Sequence, residues 1–168
     1  MGRMERSNQQ GLRANWGYGR NLHNDFARLI GGVEAGAAFK LGDWHVHNYY
    51  TQLQKGSITL AGSNDVTWDL FVTQDKSTKN VRALVGSRGQ GTPYNSPDFP
   101  VTVSSVSTVF PGATQVRAIV KEIPYNNAGR VDAPVVQINT TYAVTNNRVV
   151  IPVYSRVDNA YTIDIFAA

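Results

Sequence analysis

The chain has 168 residues, a mass of 18.4 kDa, 42% hydrophobic and 17% charged residues, which suits one packed domain and excludes a chain disordered by composition. No apolar run is long enough to span a membrane, so no membrane partner is expected, and the polar opening MGRMERSNQQ does not read as a secretory leader. The absence of cysteine excludes disulfides, thiolate nucleophiles and cysteine-based zinc sites, and the net charge is only +4.

Most of that charge sits at the start. Arg3, Arg6, Arg13 and Arg20 against Glu5 give residues 1–20 a charge of +3 and leave +1 for the rest. This segment reads as a flexible, weakly basic arm. Residues 21–56 read as a helical segment. Leu22, Phe26, Leu29, Ile30 and Val33 follow one helix face, and Gly31-Gly32 weakens its middle. Asp43 caps a second helix whose Val46, Tyr49, Tyr50 and Leu53 share a face, with Gly56 as its stop.

Beyond Gly56 the period changes from 3.6 to 2, and residues 57–168 read as a β-sandwich. Strands are expected at 57–61, 66–73, 81–85, 100–108, 116–121, 134–144, 149–154 and 161–166, where Val, Ile and aromatic residues alternate with polar ones. Turn residues separate them, and Asn146-Asn147 is short enough for a tight hairpin because asparagine tolerates positive φ. The expected fold is mainly β: an antiparallel two-sheet sandwich, jelly-roll-like, preceded by a helical segment.

The residues that could carry chemistry point away from catalysis. His45 and His47 lack a third ligand at zinc spacing, so no metal is expected and the two read as surface or interface histidines. Glu34, Asp43, Asp69, Glu122 and Asp164 fall inside predicted elements, but nothing in their spacing pairs two of them, so no catalytic residue is assigned. The run Gly86-Ser87-Arg88-Gly89-Gln90-Gly91 lacks the Lys-Ser/Thr of a phosphate loop, so no cofactor is expected. Asn139-Thr140-Thr141 is a glycosylation sequon. Tyr94 and Phe99 in a proline-rich loop, and Tyr125 beside Asn126 and Asn127, place aromatic faces next to amides, a combination that suits sugar rings.

The stretch from Gly31 to Gly91, with Tyr49-Tyr50 ahead of Gly56 and then Val81-Arg82-Ala83-Leu84-Val85-Gly86, resembles a junction in certain secreted glycoside hydrolases. It is the junction between the last barrel helix and the C-terminal β-sandwich of (β/α)₈-clan enzymes similar to family 39. Val149 to Val153 and Asn159-Ala160-Tyr161-Thr162-Ile163 look like the closing strands of such a sandwich. The resemblance covers residues 31–168. It implies an extracellular, non-catalytic accessory module, because the family's catalytic glutamates lie on barrel strands that this chain does not have. It also implies that Phe26, Leu29, Ile30, Val33, Val46 and Tyr50, which would once have faced a barrel, now form a homo-oligomer interface. An alternative in another class is a small viral or phage capsid subunit, with the sandwich tiling in a virion and the basic arm facing nucleic acid.

Overall fold

The computed structural model describes residues 29–32, 36–53, 56–58, 68–87, 98–126, 129–156 and 159–168. In chain order the elements are β1 (Ile30–Gly31), β2 (Phe39–Lys40), α1 (Gly42–Leu53), β3 (Ser57–Ile58), β4 (Trp68–Gln74), β5 (Val81–Ser87), β6 (Phe99–Ser104), α2 (Val106–Val109), β7 (Gln115–Ile123), β8 (Val135–Ala143), β9 (Arg148–Val153) and β10 (Ala160–Ala167). The main sheet has the order β3-β4-β5-β10-β7-β8, and β6 pairs with β9 in a second sheet, all antiparallel. The sandwich expected from the alternation is therefore present, with an unequal split of six strands against two.

The core lies between the two sheets. Val81, Ala83 and Val85 of β5, Val116, Ala118 and Val120 of β7, and Tyr161, Ile163 and Ile165 of β10 meet Val149, Ile151 and Val153 of β9. Each set is every second residue of its strand, so one face of the large sheet is apolar by construction. Trp68 closes one end, with its ring centroid 4.3 Å from that of Phe99 and 6.1 Å from that of Tyr161.

The other face of the large sheet is covered in part by α1. Tyr49, Tyr50 and Leu53 pack on Phe71 of β4, with Leu84 of β5 beside them. The Tyr49 hydroxyl donates to the backbone oxygen of Ile163 at 3.1 Å and to Asp164 at 3.0 Å. Burial, and then the Asp164 carboxylate, push that phenol's pKa well above the ordinary tyrosine value. Arg82 lies 3.6 Å from the same carboxylate. The molecule thus has three layers: helix, large sheet and small sheet.

Two expectations for the first part of the chain change here. Residues 29–32 and 36–41, read as helical, instead hold two short antiparallel strands in which Ile30 pairs with Lys40 and Gly31 with Phe39. Gly32 and Gly36 adopt φ of +72° and +69°, a conformation that ends a helix, and Gly32 lies so close to the Phe39 ring that a Cβ would collide with it. Tyr50, read as an oligomer contact, is buried against Phe71, while Val46, Leu29 and Ile30 are half-buried; Phe26 and Val33 lie outside the described residues.

The turns follow their residue chemistry. Asn146 and Asn147 both take positive φ (51° and 60°), and Thr145 and Arg148 exchange backbone hydrogen bonds across them, the two-residue hairpin expected at this site. It carries the chain from the large sheet to the small one. In the β4–β5 turn the Asp75 carboxylate accepts from the Ser77 hydroxyl and from the amides of Ser77 and Thr78, which holds its pKa well below the usual carboxylate range. The strand expected over 100–108 stops at Ser104, because Ser105 is left-handed (φ 55°) and starts α2.

Ile163 is fully buried between both neighbours in the sheet and the opposing small sheet. Ile163→Ala is expected to lower stability by roughly 2–5 kcal/mol. Urea unfolding should show a lower midpoint at an unchanged slope.

Candidate functional site

A cleft of about 490 Å³ opens at one end of the large sheet, lined by Glu122, Tyr125, Asn126, Arg130, Asp132, Arg156 and Asn159 among others. Four pieces of chain meet there: the end of β7, the connection from β7 to β8, the segment after β9, and Asn159 just before β10.

Glu122 organises this junction. It is only 4% exposed, and it faces the inside of the sandwich end because it continues the buried alternation of Val116, Ala118 and Val120 along β7. A buried carboxylate needs partners. Its Oε1 accepts from Asn159 Nδ2 and lies 3.7 Å from Arg156 Nε, and its Oε2 accepts from Gln137 Nε2 at 2.9 Å. Asn159 Oδ1 then accepts from the backbone N–H of Tyr125 at 2.7 Å. Gln137 Nε2 also donates to the backbone oxygen of Tyr154 at 2.8 Å. One carboxylate therefore ties β7, β8, the segment after β9 and the start of β10 together. The Tyr161 hydroxyl holds the same segment from below by accepting from the backbone N–H of Arg156, and burial raises its pKa.

The far wall of the cleft rests on the helix side. The Val131 amide donates to Lys40 O at 2.9 Å, and the Val131 carbonyl accepts from His45 Nε2 at 2.8 Å. His45 is thus buried and structural, where the spacing of His45 and His47 alone had suggested surface or interface residues. Gly42 opens α1 against this loop so closely that a Cβ would lie 2.5 Å from Pro124 O. Lys40 Nζ sits 4.1 Å from the Trp44 ring centroid and adds a cation–π contact beside the same seat.

The rim is polar and exposed. Tyr125 is 51% exposed, Asn126 is exposed, and Arg130 forms an ion pair with Asp132. The charges lining the cleft balance: Arg130 and Arg156 against Glu122 and Asp132. No group of three or more metal-ligating side chains occurs among the described residues.

Of the residues the sequence singled out for sugar contact, Tyr125 and Asn126 come together at this rim. Phe99 does not. It lies in β6, and its ring packs against Trp68 and Tyr161 inside the sandwich. Tyr94 and Asn127 lie outside the described residues. Sequence reasoning missed Arg130, Asp132, Arg156 and Asn159 as cleft residues. The available signal was the cluster of turn residues around both ends of the β8–β10 region, but no local pattern says that the two ends meet.

No family model and no curated protein sequence matches the chain. Among solved structures it is similar to N2152 from Neocallimastix frontalis, with a TM-score of 0.64 and 15% identity over 77% of this chain and 31% of that one. It is also similar to a glucosidase from Croceicoccus marinus, with a TM-score of 0.48 and 10% identity over 70% of this chain and 29% of that one. CelM2, a bifunctional glucanase-xylanase from a metagenome library, gives a TM-score of 0.41 and 12% identity over 66% of this chain and 18% of that one. At 15% identity the first likeness establishes the fold, and the chain spans less than a third of the length of N2152.

Glu122→Gln places an amide NH₂ where one of two donors, Asn159 or Gln137, now finds an acceptor. Asn159 cannot turn over to relieve it, since its own oxygen is held by the Tyr125 amide. The variant is expected to lose about 1–3 kcal/mol, read by chemical denaturation. Gly42→Ala is expected to destabilise as well, through the contact with Pro124 O.

Proposed function

We propose that this chain is a non-catalytic β-sandwich module, related to glycoside hydrolase accessory domains, that associates with carbohydrate through the cleft beside Glu122. The observation that carries the reading is the cleft itself: concave, about 490 Å³, with Tyr125 exposed at its mouth and amide, guanidinium and carboxylate groups around it. A tyrosine face covers the C–H face of a sugar ring, and planar polar groups bond its hydroxyls. The balanced lining charge favours an uncharged sugar over an acidic one.

The carboxylates of the cleft support a binding role over a hydrolytic one. Glu122 spends both oxygens on Asn159 and Gln137, and Asp132 faces Arg130. A glycosidase needs one carboxyl group free to give a proton and a second free to act as base or nucleophile. The module reading is supported by the fold likeness, which covers only part of N2152. The capsid alternative rested on a single jelly roll of this length and composition with a basic arm; the arm, residues 1–20, lies outside the described residues, and no comparison supports a capsid.

Affinity electrophoresis through gels containing soluble xylan, β-glucan or xyloglucan tests the proposal. Retardation by at least one neutral polysaccharide is expected, lost in Tyr125→Ala while the melting temperature stays within a few degrees of the parent. No retardation in any gel, or retardation unchanged in Tyr125→Ala, would overturn it. Turnover of an aryl glycoside that disappears in Asp132→Asn would instead make the chain an enzyme.

A further inference from the structure

The edges of the two sheets are not protected alike. An unpaired strand edge offers a row of free N–H and C=O groups, and stable proteins shorten it, kink it, or place proline or charge on it. On the large sheet β3 is only two residues long. On the small sheet β6 carries Pro100. The edge strand β8, VVQINTTYA, is nine residues long and holds no Asp, Glu, Lys, Arg or Pro. Its one irregularity, the register shift between the pairs Val120↔Ile138 and Lys121↔Val136, lies at the cleft end. From Ile138 to Ala143 the strand runs in regular register with β7, from Ile119↔Asn139 to Gln115↔Ala143. Every second residue of such a strand turns its backbone N–H and C=O away from its neighbour. Asn139, Thr140, Thr141 and Ala143 are exposed.

We propose that β8 pairs antiparallel with β8 of a second copy of this chain, about a two-fold axis through Thr140, joining two six-stranded sheets into one. A two-fold pairing matches residue i with 280 − i. Ile138 then faces Tyr142 of the second copy, Asn139 faces Thr141, and Thr140 faces Thr140. Because the sum is even, core-side residues stay with core-side residues and solvent-side with solvent-side. Ile138 and Tyr142 both pack on the core side, so the apolar interior continues across the joint. Each of the three pairings is of a kind that stabilises sheets: a β-branched residue against an aromatic one, threonine against threonine, and amide against hydroxyl. The strand itself carries no charge; the neighbouring Arg117 of β7 donates to Asn139 Oδ1 at 2.9 and 3.0 Å, which leaves the Asn139 NH₂ to face Thr141. Five residues, Ile138 to Tyr142, give a contact about 17 Å long. A strand pair this short is a small contact beside a standard interface of roughly 1,200–2,000 Å², so the dimer is reversible.

The chain has no cysteine, which makes a single introduced one a clean reporter. At the two-fold position facing Cα atoms lie about 4.5–5.5 Å apart, within the range a disulfide spans. Thr140→Cys is expected to form a covalent dimer under mild oxidation, whereas Thr102→Cys, exposed on β6, stays monomeric. Light scattering of the parent should show mass rising between about 10 µM and about 1 mM. Thr140→Lys, which sets two ammonium groups face to face, should hold it at monomer with an unchanged circular dichroism spectrum. Equal cross-linking of both cysteine variants, or a parent that remains monomeric throughout that range, would overturn the proposal. So would a monomer whose outward β8 amides resist hydrogen exchange, because another segment of the same chain would then occupy the edge.

Discussion

The strand Ala160–Ala167 must pair on both sides before the large sheet exists. It lies between β5 and β7 and, among the described residues, joins the β3-β4-β5 half of the sheet to the β7-β8 half. Both its faces are also used. Tyr161, Ile163 and Ile165 fill the space under the small sheet, while Thr162 and Asp164 lie toward α1. Its partners in β5 are some eighty residues earlier in the chain, so the sheet is built from long-range pairs that close late and slowly. Any change that weakens this strand acts on both halves at once.

The cleft hangs from the same strand. Asn159 stands directly before β10, and the buried Glu122 faces it from the end of β7, which is β10's partner. The Tyr161 hydroxyl reaches back to Arg156 from the first turn of alternation inside the core. Cleft geometry is therefore set by core packing two residues away. On its other wall, Val131 is bonded at both its amide and its carbonyl, to Lys40 and His45. The described part of this wall has its backbone satisfied on one side by a helix and lies on the other against a buried carboxylate network. In the proposed binding role, a wall held in this way spares the free energy that ordering a loop would consume.

What the sequence made legible was whatever depends on local period and local turn chemistry. The strands read from alternation appear close to where expected, most clearly β5, β7, β9 and β10, where one face is buried and alternation is the direct imprint of that burial. The Asn146-Asn147 hairpin was readable for the same local reason. The helical face came close: Tyr49, Tyr50 and Leu53 are buried, with His45 in place of Val46, since a hydrogen bond to Val131, 86 residues away, draws the imidazole inward. The first expected helix falls mostly outside the described residues; at Ile30–Gly31 it gives way to a strand, because apolar spacing was weighed above Gly32 and Gly36, whose positive φ values end a helix. Half of the site was invisible for a different reason. Glu122, Arg156 and Asn159 come from separate strands and connections, and only the topology brings them together. Phe99 was misread because the strand begins at it, one residue earlier than Pro100 suggested.

The contrast between Glu122 and Asp164 shows how the same layer can be used in two ways. Both carboxylates lie on adjacent strands of the large sheet and each has an arginine within 4 Å: Arg156 at 3.7 Å and Arg82 at 3.6 Å. Asp164 lies on the helix side, where it accepts from Tyr49 and fixes α1 to the sheet. Glu122 lies at the end of the sandwich, where its partners are amides that hold loops instead of a helix. Removing a partner from Asp164 would loosen a layer, and the cost would appear as global stability. Removing one from Glu122 would loosen the connections that shape the cleft, while the β-strand core beneath, which rests on buried aliphatic residues, stays packed. The seating of the helix and the shape of the cleft are thus carried by different polar networks on one sheet. In the proposed binding role, a substitution at the cleft is expected to alter binding by more than its effect on unfolding would suggest.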